Sequence, residues 1–187
     1  MLRRLIILLL IVGCNEIDKK ETENSSLEFW QIKYFVNQYY EPTDVGYITN
    51  KNPIFGKFGN SRILNNALKV KIMIKERDVG IKLYENDQKI SLKGNRQDPI
   101  EYDIKVKRND ENIDFIFRGI NETDVVVVGN IISSSHQDTL IYYLKMGGKF
   151  DFYLETKNQS KNNIYEFGIN DESPHGFINA FKKLKSN

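Results

Sequence analysis

A serine, a histidine and an aspartate lie close together in the sequence, at Ser135, His136 and Asp138. These are the three groups with which many hydrolases activate a serine hydroxyl for attack on a carbonyl carbon. Such a triad is assembled in space from distant segments, and its histidine must be oriented by the carboxylate. Three residues within four positions rarely point at one another in that way. The sequence therefore favours a polar loop between two strands and predicts no catalytic residue.

Other residues that bind metals or transfer protons are too dispersed to predict a site. The two histidines, His136 and His175, have no further ligands nearby at the spacing of a zinc site. The oxygen-rich turn at 109–112 does not complete a calcium loop. Asp103 and Asp114 would suit a glycosidase pair, but both alternate with apolar residues and should face solvent. We therefore expect no metal and no cofactor.

Tyrosine and asparagine side chains in the first half of the chain form the candidate surface for a ligand or partner. Both residue types are common where proteins recognise one another, but they are common in ordinary loops as well. The alternative is that 41–44 is a turn and that the asparagines shape a long connection before a strand at Leu68. The candidate residues are Tyr39, Tyr40, Tyr47, Asn60 and Asn65.

The first residues have the organisation of a secretory signal peptide. Arg3 and Arg4 precede an apolar run that ends at Gly13, directly before Cys14. From Leu5 that run covers roughly 14 Å as a helix, which is too short to cross a hydrocarbon core of roughly 30 Å. The sequence therefore predicts export and cleavage and does not predict a membrane span.

The residues around the cleavage point, Leu-Ile-Val-Gly-Cys at 10–14, resemble the lipobox of bacterial lipoproteins. The resemblance implies a thioether lipid on Cys14, cleavage before it, and acylation of the new amine with a fatty acid such as palmitate. Two or more acyl chains hold a protein stably on a bilayer, whereas one holds it marginally. The alternative for Cys14 is a buried packing residue. No second cysteine is present, so no disulfide stabilises the exported part.

Composition divides the chain into three parts: a signal peptide at 1–13, the lipidated cysteine with a polar tether at 14–26, and one β-rich domain at 27–187. The tether is too polar to bury a core. Without Arg3 and Arg4 the remaining chain carries 25 basic and 25 acidic side chains. This balance gives no argument for binding nucleic acid.

Alternating apolar and polar residues predict many strands. The clearest run is Leu68–Lys75, followed by 100–107 and 113–118, and further strands are expected near 81–83, 90–92, 125–128, 140–144, 150–154 and 165–169. Short turns between them, including Asn86-Asp87 and Gly147-Gly148, favour antiparallel pairing. Most aromatic residues are assigned to the core, namely Trp30, Tyr34, Phe35, Phe115, Phe117, Phe150, Phe152, Tyr165 and Phe167.

One helix is expected at the C-terminus. Ser173 and Pro174 suit its first turn, and Phe177, Ala180, Phe181 and Leu184 recur at helical spacing. The predicted fold class is mainly β: an antiparallel β-sandwich or barrel-like domain with one C-terminal α-helix.

Three segments are similar to the pattern of a family of uncharacterised β-rich bacterial lipoproteins. They are 35–48, 56–72 and the tail at 176–184. Tyr40 departs from the pattern, which has glycine at that position. The resemblance supports the β-rich architecture and implies no activity, so it transfers no functional residue.

These observations predict a membrane-anchored lipoprotein of the cell envelope that binds a partner and is not an enzyme. Its expected partners are the bilayer, through acylated Cys14, and an envelope protein or small ligand. The inner and outer membranes are not distinguished. Two alternatives remain open: an envelope hydrolase that uses Ser135, His136 and Asp138 or loop carboxylates, and a structural or immunity-type protein that docks on a secreted partner.

Overall fold

The computed structural model describes residues 29–60, 63–76, 78–90, 98–109, 115–121, 124–129, 135–157, 159 and 162–186. The signal segment, Cys14 and the tether lie outside these described residues, as does Asp114. The domain boundaries drawn from composition therefore stay predictions.

The described chain forms eleven strands and two helices. The first six strands are β1 Trp30–Val36, β2 Pro42–Asn50, β3 Ile54–Asn60, β4 Ile63–Lys75, β5 Asp78–Glu85 and β6 Gln88–Lys89. The remaining elements are β7 Ile100–Arg108, β8 Phe115–Asn121, β9 Val126–Val128, α1 Ser135–Met146, β10 Gly148–Thr156, β11 Asn163–Asp171 and α2 His175–Ser186.

Eight of the strands form a closed antiparallel barrel in the order β4-β3-β11-β10-β7-β8-β9-β5, and β5 pairs with β4 to complete the ring. The hairpin of β1 and β2 lies outside this ring and joins it where Ile48 and Thr49 pair with the end of β4. The predicted fold class, a mainly β and barrel-like domain with a C-terminal helix, is confirmed.

Alternation places one face of each strand inside the barrel. In β4 the even-numbered residues from Leu68 to Ile74 are at most 1% exposed, while the lysines between them point outward. Large rings fill the interior, because an eight-stranded barrel is just wide enough to be packed by its own side chains. Phe152 and Phe167, for example, stack with ring centroids 4.8 Å apart.

Helix α2 packs against the β1–β2 hairpin and against α1. Phe177, Ala180 and Phe181 are buried on one face of the helix, as its spacing predicts. The indole Nε1 of Trp30 donates a 2.7 Å hydrogen bond to Asp171 Oδ2, and its ring meets the Phe177 ring edge-on at 5.1 Å. We call this contact of Trp30, Asp171 and Phe177 the plug.

The predicted strand at 140–144 is wrong, because these residues lie in α1. Leu140, Ile141 and Leu144 are its buried residues, and their spacing puts them on one helical face. Asp138 lies in the first turn, where a negative charge favours a helix. The hairpin predicted at Gly147-Gly148 is wrong as well: Gly147, at φ +65°, ends the helix as its N–H donates to Leu144 O.

The long connection predicted before Leu68 is also wrong, since β3 and β4 form a hairpin there. Phe58 of β3 packs in the barrel against the Tyr165 ring, 6.1 Å between centroids. Glycine at position 56 interrupts the alternation of apolar and polar residues by which a strand is predicted. The fold nevertheless requires this glycine, because a Cβ at position 56 would clash with the carbonyl oxygen of Glu166. The turn predicted at 41–44 instead occupies 37–40, and β2 begins at Pro42.

Candidate functional site

The outer part of the β1–β2 hairpin, residues 33–45, projects from the barrel; we call it the finger. From Lys33 to Val36 every residue of β1 is exposed, on both faces of the strand, and β2 is largely exposed from Pro42 to Val45. The base of the finger is fixed where Gly46 faces Leu184 of α2 so closely that a Cβ would lie 2.7 Å from Leu184 Cδ1.

Aromatic and aliphatic side chains are concentrated on the finger. Six of the eleven exposed large hydrophobic side chains in the described part of the chain lie there, with Tyr39 71% and Tyr40 87% exposed. The other four are Tyr34, Phe35, Val36 and Val45. Exposed apolar clusters of this kind mark interaction sites in soluble domains, whereas single exposed apolar residues do not.

The tip of the finger is held by Asn37. Its Oδ1 accepts hydrogen bonds from the backbone N–H groups of Tyr39 and Glu41, at 2.8 and 3.1 Å. Its Nδ2 donates to Glu41 Oε2 at 3.0 Å. Tyr40 adopts φ +63°, the left-handed conformation that suits glycine and costs other residues about 1–2 kcal/mol. The turn thus presents two tyrosine rings to solvent in a defined and strained conformation.

Of the five residues predicted to form a ligand or partner surface, the structure brings three together on one hairpin. Tyr39 and Tyr40 occupy the tip, and Tyr47 supports the finger from below, where its ring lies 4.8 Å from that of Phe35. Partial burial raises the pKa of the Tyr47 hydroxyl, with a smaller contribution from Tyr84. The hydroxyl therefore stays protonated at neutral pH, and it is the ring of Tyr47 that packs against the finger.

Asn60 and Asn65 belong to a different part of the molecule. Asn60 ends β3, where it pairs with Ile63 and Asn163. Asn65 lies nine residues before Ile74, the β4 residue that pairs with β2, which is about 30 Å along the strand. The predicted surface is therefore not continuous.

Two residues that the sequence assigned to the core, Tyr34 and Phe35, belong instead to the exposed finger, so that assignment is wrong. The missed signal was the consecutive run Tyr34-Phe35-Val36. Successive residues of a strand point to opposite faces, so an unbroken apolar run places large side chains on both faces. Only a fully buried strand or one that projects freely has that pattern.

A group of polar side chains lies inside the barrel near Asn60. The Tyr165 hydroxyl donates to Glu85 Oε1 at 2.8 Å, and Asn163 Nδ2 donates to Tyr165 Oη at 3.5 Å. Burial raises the pKa of Tyr102 to about 12 and that of Tyr165 further still. Both hydroxyls are therefore protonated at neutral pH, which suits hydrogen bonding and gives neither of them a role as a base.

Ser135, His136 and Asp138 lie on the first turn of α1. The His136 ring meets Phe117 edge-on at 5.6 Å, and its buried Nδ1 has no hydrogen-bond partner within the described ranges. In a hydrolytic triad that second ring nitrogen is held by a carboxylate. The arrangement lacks this orienting bond.

No group of three or more histidine, cysteine, aspartate or glutamate side chains is placed to hold a metal among the residues described. Asp103, one of the candidate carboxylates, pairs with Lys157 at 2.8 Å. In the same part of the chain, no helix has both the length and the apolar character needed to cross a bilayer.

The fold and the finger together define a closed antiparallel β-barrel with a projecting aromatic hairpin. No protein-family model, curated protein or solved structure matches this chain. The similarity to uncharacterised β-rich lipoproteins is therefore untested and stays a prediction.

Proposed function

We propose that this protein is a lipid-anchored, non-enzymatic binding module of the bacterial cell envelope, which docks its finger into an apolar cleft of a partner protein. The observation that carries the proposal is the concentration of exposed apolar side chains at 34–45. Tyrosine is over-represented among residues that dominate binding energy at protein interfaces. A strand exposed on both faces suits insertion between two walls better than contact with a flat surface.

The turn at the tip of the finger is already ordered by hydrogen bonds, which favours a role in binding. Asn37 fixes the tip through three side-chain hydrogen bonds, so little conformational entropy is lost when Tyr39 and Tyr40 are immobilised in a complex. Strained backbone conformations concentrate at functional sites, and Tyr40 has one.

The charges on the finger favour a protein cleft over the bilayer surface. Exposed Glu41 and Asp44 outnumber Lys33, so the finger carries a small negative charge. Anionic lipid headgroups attract basic segments and repel acidic ones. A cleft with an apolar floor and a basic rim is the complementary surface.

The proposed anchor fits this role. The sequence between Cys14 and Phe29 holds fourteen residues, which reach at most about 50 Å when extended. Phe29 directly precedes β1, whose first residues form the base of the finger. An acylated Cys14 would thus keep the base of the finger within that distance of the membrane, where envelope proteins are available as partners.

A hydrolytic function has less support, because His136 Nδ1 has no orienting partner within the residues described. An immunity-type function would use the same finger and differs in its partner. It predicts one stoichiometric complex with a secreted protein.

Site-specific photo-cross-linking in intact cells tests the docking surface. A benzophenone amino acid replaces Tyr40 in one variant and Tyr142, a residue of α1 that is 59% exposed, in a matched control. We expect one discrete adduct from position 40, lost when Tyr39 is changed to alanine, and none from position 142. Equal adducts from both positions, or none from position 40, would overturn the finger as the docking surface.

The anchor is tested separately with Cys14→Ser. Metabolic labelling with a clickable palmitate analogue should label the parent protein and not the variant, and only the parent should sediment with membranes. Label that persists in the variant contradicts lipidation of Cys14 without bearing on the finger.

A further inference from the structure

A groove of about 530 Å³ crosses the outer wall of the barrel, away from the finger. Its floor and sides come from β3, β11, β10 and β7. Neighbouring strands lie about 4.8 Å apart, so four strands make a groove about 14 Å wide across them.

Strand register builds the groove from two parallel rows of outward side chains. The first row is Lys57, Glu166, Tyr153 and Lys105, each paired with the next across adjacent strands. In the second row Gly168 pairs with Asp151 and Asp151 with Lys107, and Phe55 stands at the β3 end.

The depth of the groove has a local cause. Gly168 has no side chain to fill the centre of the second row. The pairing of β3 with β11 ends at Gly56 and Phe167, so Phe55 is no longer held against β11. Phe55 is 69% exposed and forms a wall, which is an unusual position for a large ring.

Positive charge lies at both ends of the groove. Lys57 is at one end, and Lys105 and Lys107 are at the other. None of the three has a carboxylate within 4.0 Å among the residues that the structure describes, although Lys107 is half-buried. Asp151, on the floor, is partly neutralised by Lys149 at 3.4 Å. The ends of the groove therefore attract anionic groups.

The middle of the groove offers rings and hydrogen-bond acceptors. Tyr153 is half-buried, and Lys105 Nζ lies 5.6 Å from its ring centroid. Glu166 and Asp151 on either side accept hydrogen bonds from hydroxyl groups. Burial raises the pKa of Tyr153, so its hydroxyl is a donor at neutral pH.

We propose that this groove binds an acidic oligosaccharide. Its acidic substituents pair with the lysines at the two ends, its hydroxyls donate to Glu166 and Asp151, and its ring faces pack on Tyr153 and Phe55. A peptide strand fits less well, because all four strands are paired on both edges along the first row and offer no free backbone for strand addition.

Fluorescence polarisation with the full-length protein in detergent tests the site, using fluorescein-labelled trigalacturonic acid as the probe. We expect saturable binding that weakens with salt. Lys57→Gln, Lys105→Gln and Lys107→Gln should each weaken binding about three- to fivefold, the upper part of the range for an exposed ion pair. Phe55→Ser should weaken binding more than any single lysine variant does, because it removes the aromatic wall of the groove. Phe55 is exposed, so the change leaves the core undisturbed.

Lys82→Gln is the matched control, since Lys82 is an outward lysine of β5 on the opposite wall of the barrel and pairs with Asp124. It should leave binding unchanged. The proposal is overturned if no saturable binding occurs, if the lysine variants bind as tightly as the parent, or if unlabelled maltotriose or hexaglutamate displaces the probe as well as trigalacturonic acid does. Tyr40→Ala should not alter the binding of the probe, so the experiment tests the groove independently of the finger.

Discussion

Strand β1 carries large aromatic rings at both of its ends, yet their surroundings differ completely. Trp30 is 2% exposed and takes part in the plug, whereas Tyr34 and Phe35 near the other end of the strand are 38% and 40% exposed. Burying one such ring contributes about 1.5–3 kcal/mol to folding. In the plug, this free energy stabilises the folded chain itself. The finger leaves much of its apolar surface exposed, so the proposed partner would gain free energy by covering it.

The largest effect should come from removing the Trp30 ring. Trp30→Ala leaves a cavity against Phe177 and deprives Asp171 of its donor, so we expect the free energy of unfolding to fall by about 3–5 kcal/mol. Urea denaturation followed by circular dichroism measures it. Tyr39→Ala is the matched change in the finger and should cost less than about 0.5 kcal/mol. Similar losses for both variants would contradict the contrast between plug and finger.

The plug should also make stability depend on pH. Burial raises the pKa of Asp171, and hydrogen bonds from Trp30 and from the Ser173 backbone only partly oppose this. A carboxyl whose pKa is raised by folding contributes its full stability below its unfolded-state pKa and loses it as pH rises through its folded-state pKa.

Asp171→Asn removes that titration. We therefore expect the stability of the parent protein relative to Asp171→Asn to be greatest below the ordinary aspartate pKa of about 3.9 and to decrease as the pH rises above it, through the raised pKa of the buried carboxyl. Urea denaturation at several pH values measures the difference. A relative stability that increases with pH would show that the carboxylate form is the one the plug favours.

The turn of the finger should matter more for binding than for stability. Asn37→Ala removes three exposed hydrogen bonds and should cost about 1 kcal/mol of unfolding free energy. It should nevertheless abolish most cross-linking from position 40. The double variant Asn37→Asp with Glu41→Gln keeps the Oδ1 acceptor for the backbone N–H groups at 39 and 41 without placing two carboxylates beside each other, and it should restore much of the yield. If cross-linking survives Asn37→Ala, the preformed turn is not required.

The smallest effect should be an increase in stability. Tyr40→Gly relieves the left-handed backbone strain, and we expect it to stabilise the fold by about 1 kcal/mol or less, because glycine also loses more entropy on folding. Tyr40→Ala removes the same ring but keeps the strain, so it should give no gain. Thermal unfolding of the two variants separates them, and equal melting temperatures would argue against strain at this position.

Local pattern was enough to predict the barrel wall and α2. Each of these patterns describes one face of one element, namely the alternation in β4 and β7 and the spacing from Phe177 to Leu184 in α2. The two strands and the helix that they predict are confirmed. Helix α1 was missed because Leu140 to Leu144 is rich in residues that favour strands, and so short an apolar run fits either period. Its helix signals, Asp138 in the first turn and Gly147 after the last, lay outside the run itself.

The candidate sites depend on information that a local pattern does not contain. Tyr34 and Phe35 look like core residues, and only the packing of α2 at Gly46 shows where the hairpin leaves the barrel. The groove joins Lys57 to Lys105 through Glu166 and Tyr153. That order follows from the registers of four strands spread over more than half the chain.

The position of Trp30 has a mechanical consequence for the segment that leads into the domain. A pull on that segment acts first on the hydrogen bond from Trp30 to Asp171, at the end of β11, and on the backbone pairs of β1 with β2 from Trp30 to Tyr34. It acts on these contacts before it acts on the pairing between strands of the closed ring. The β1–β2 hairpin and the plug would therefore detach first under load, while the hydrogen bonds between the strands of the closed ring stay intact.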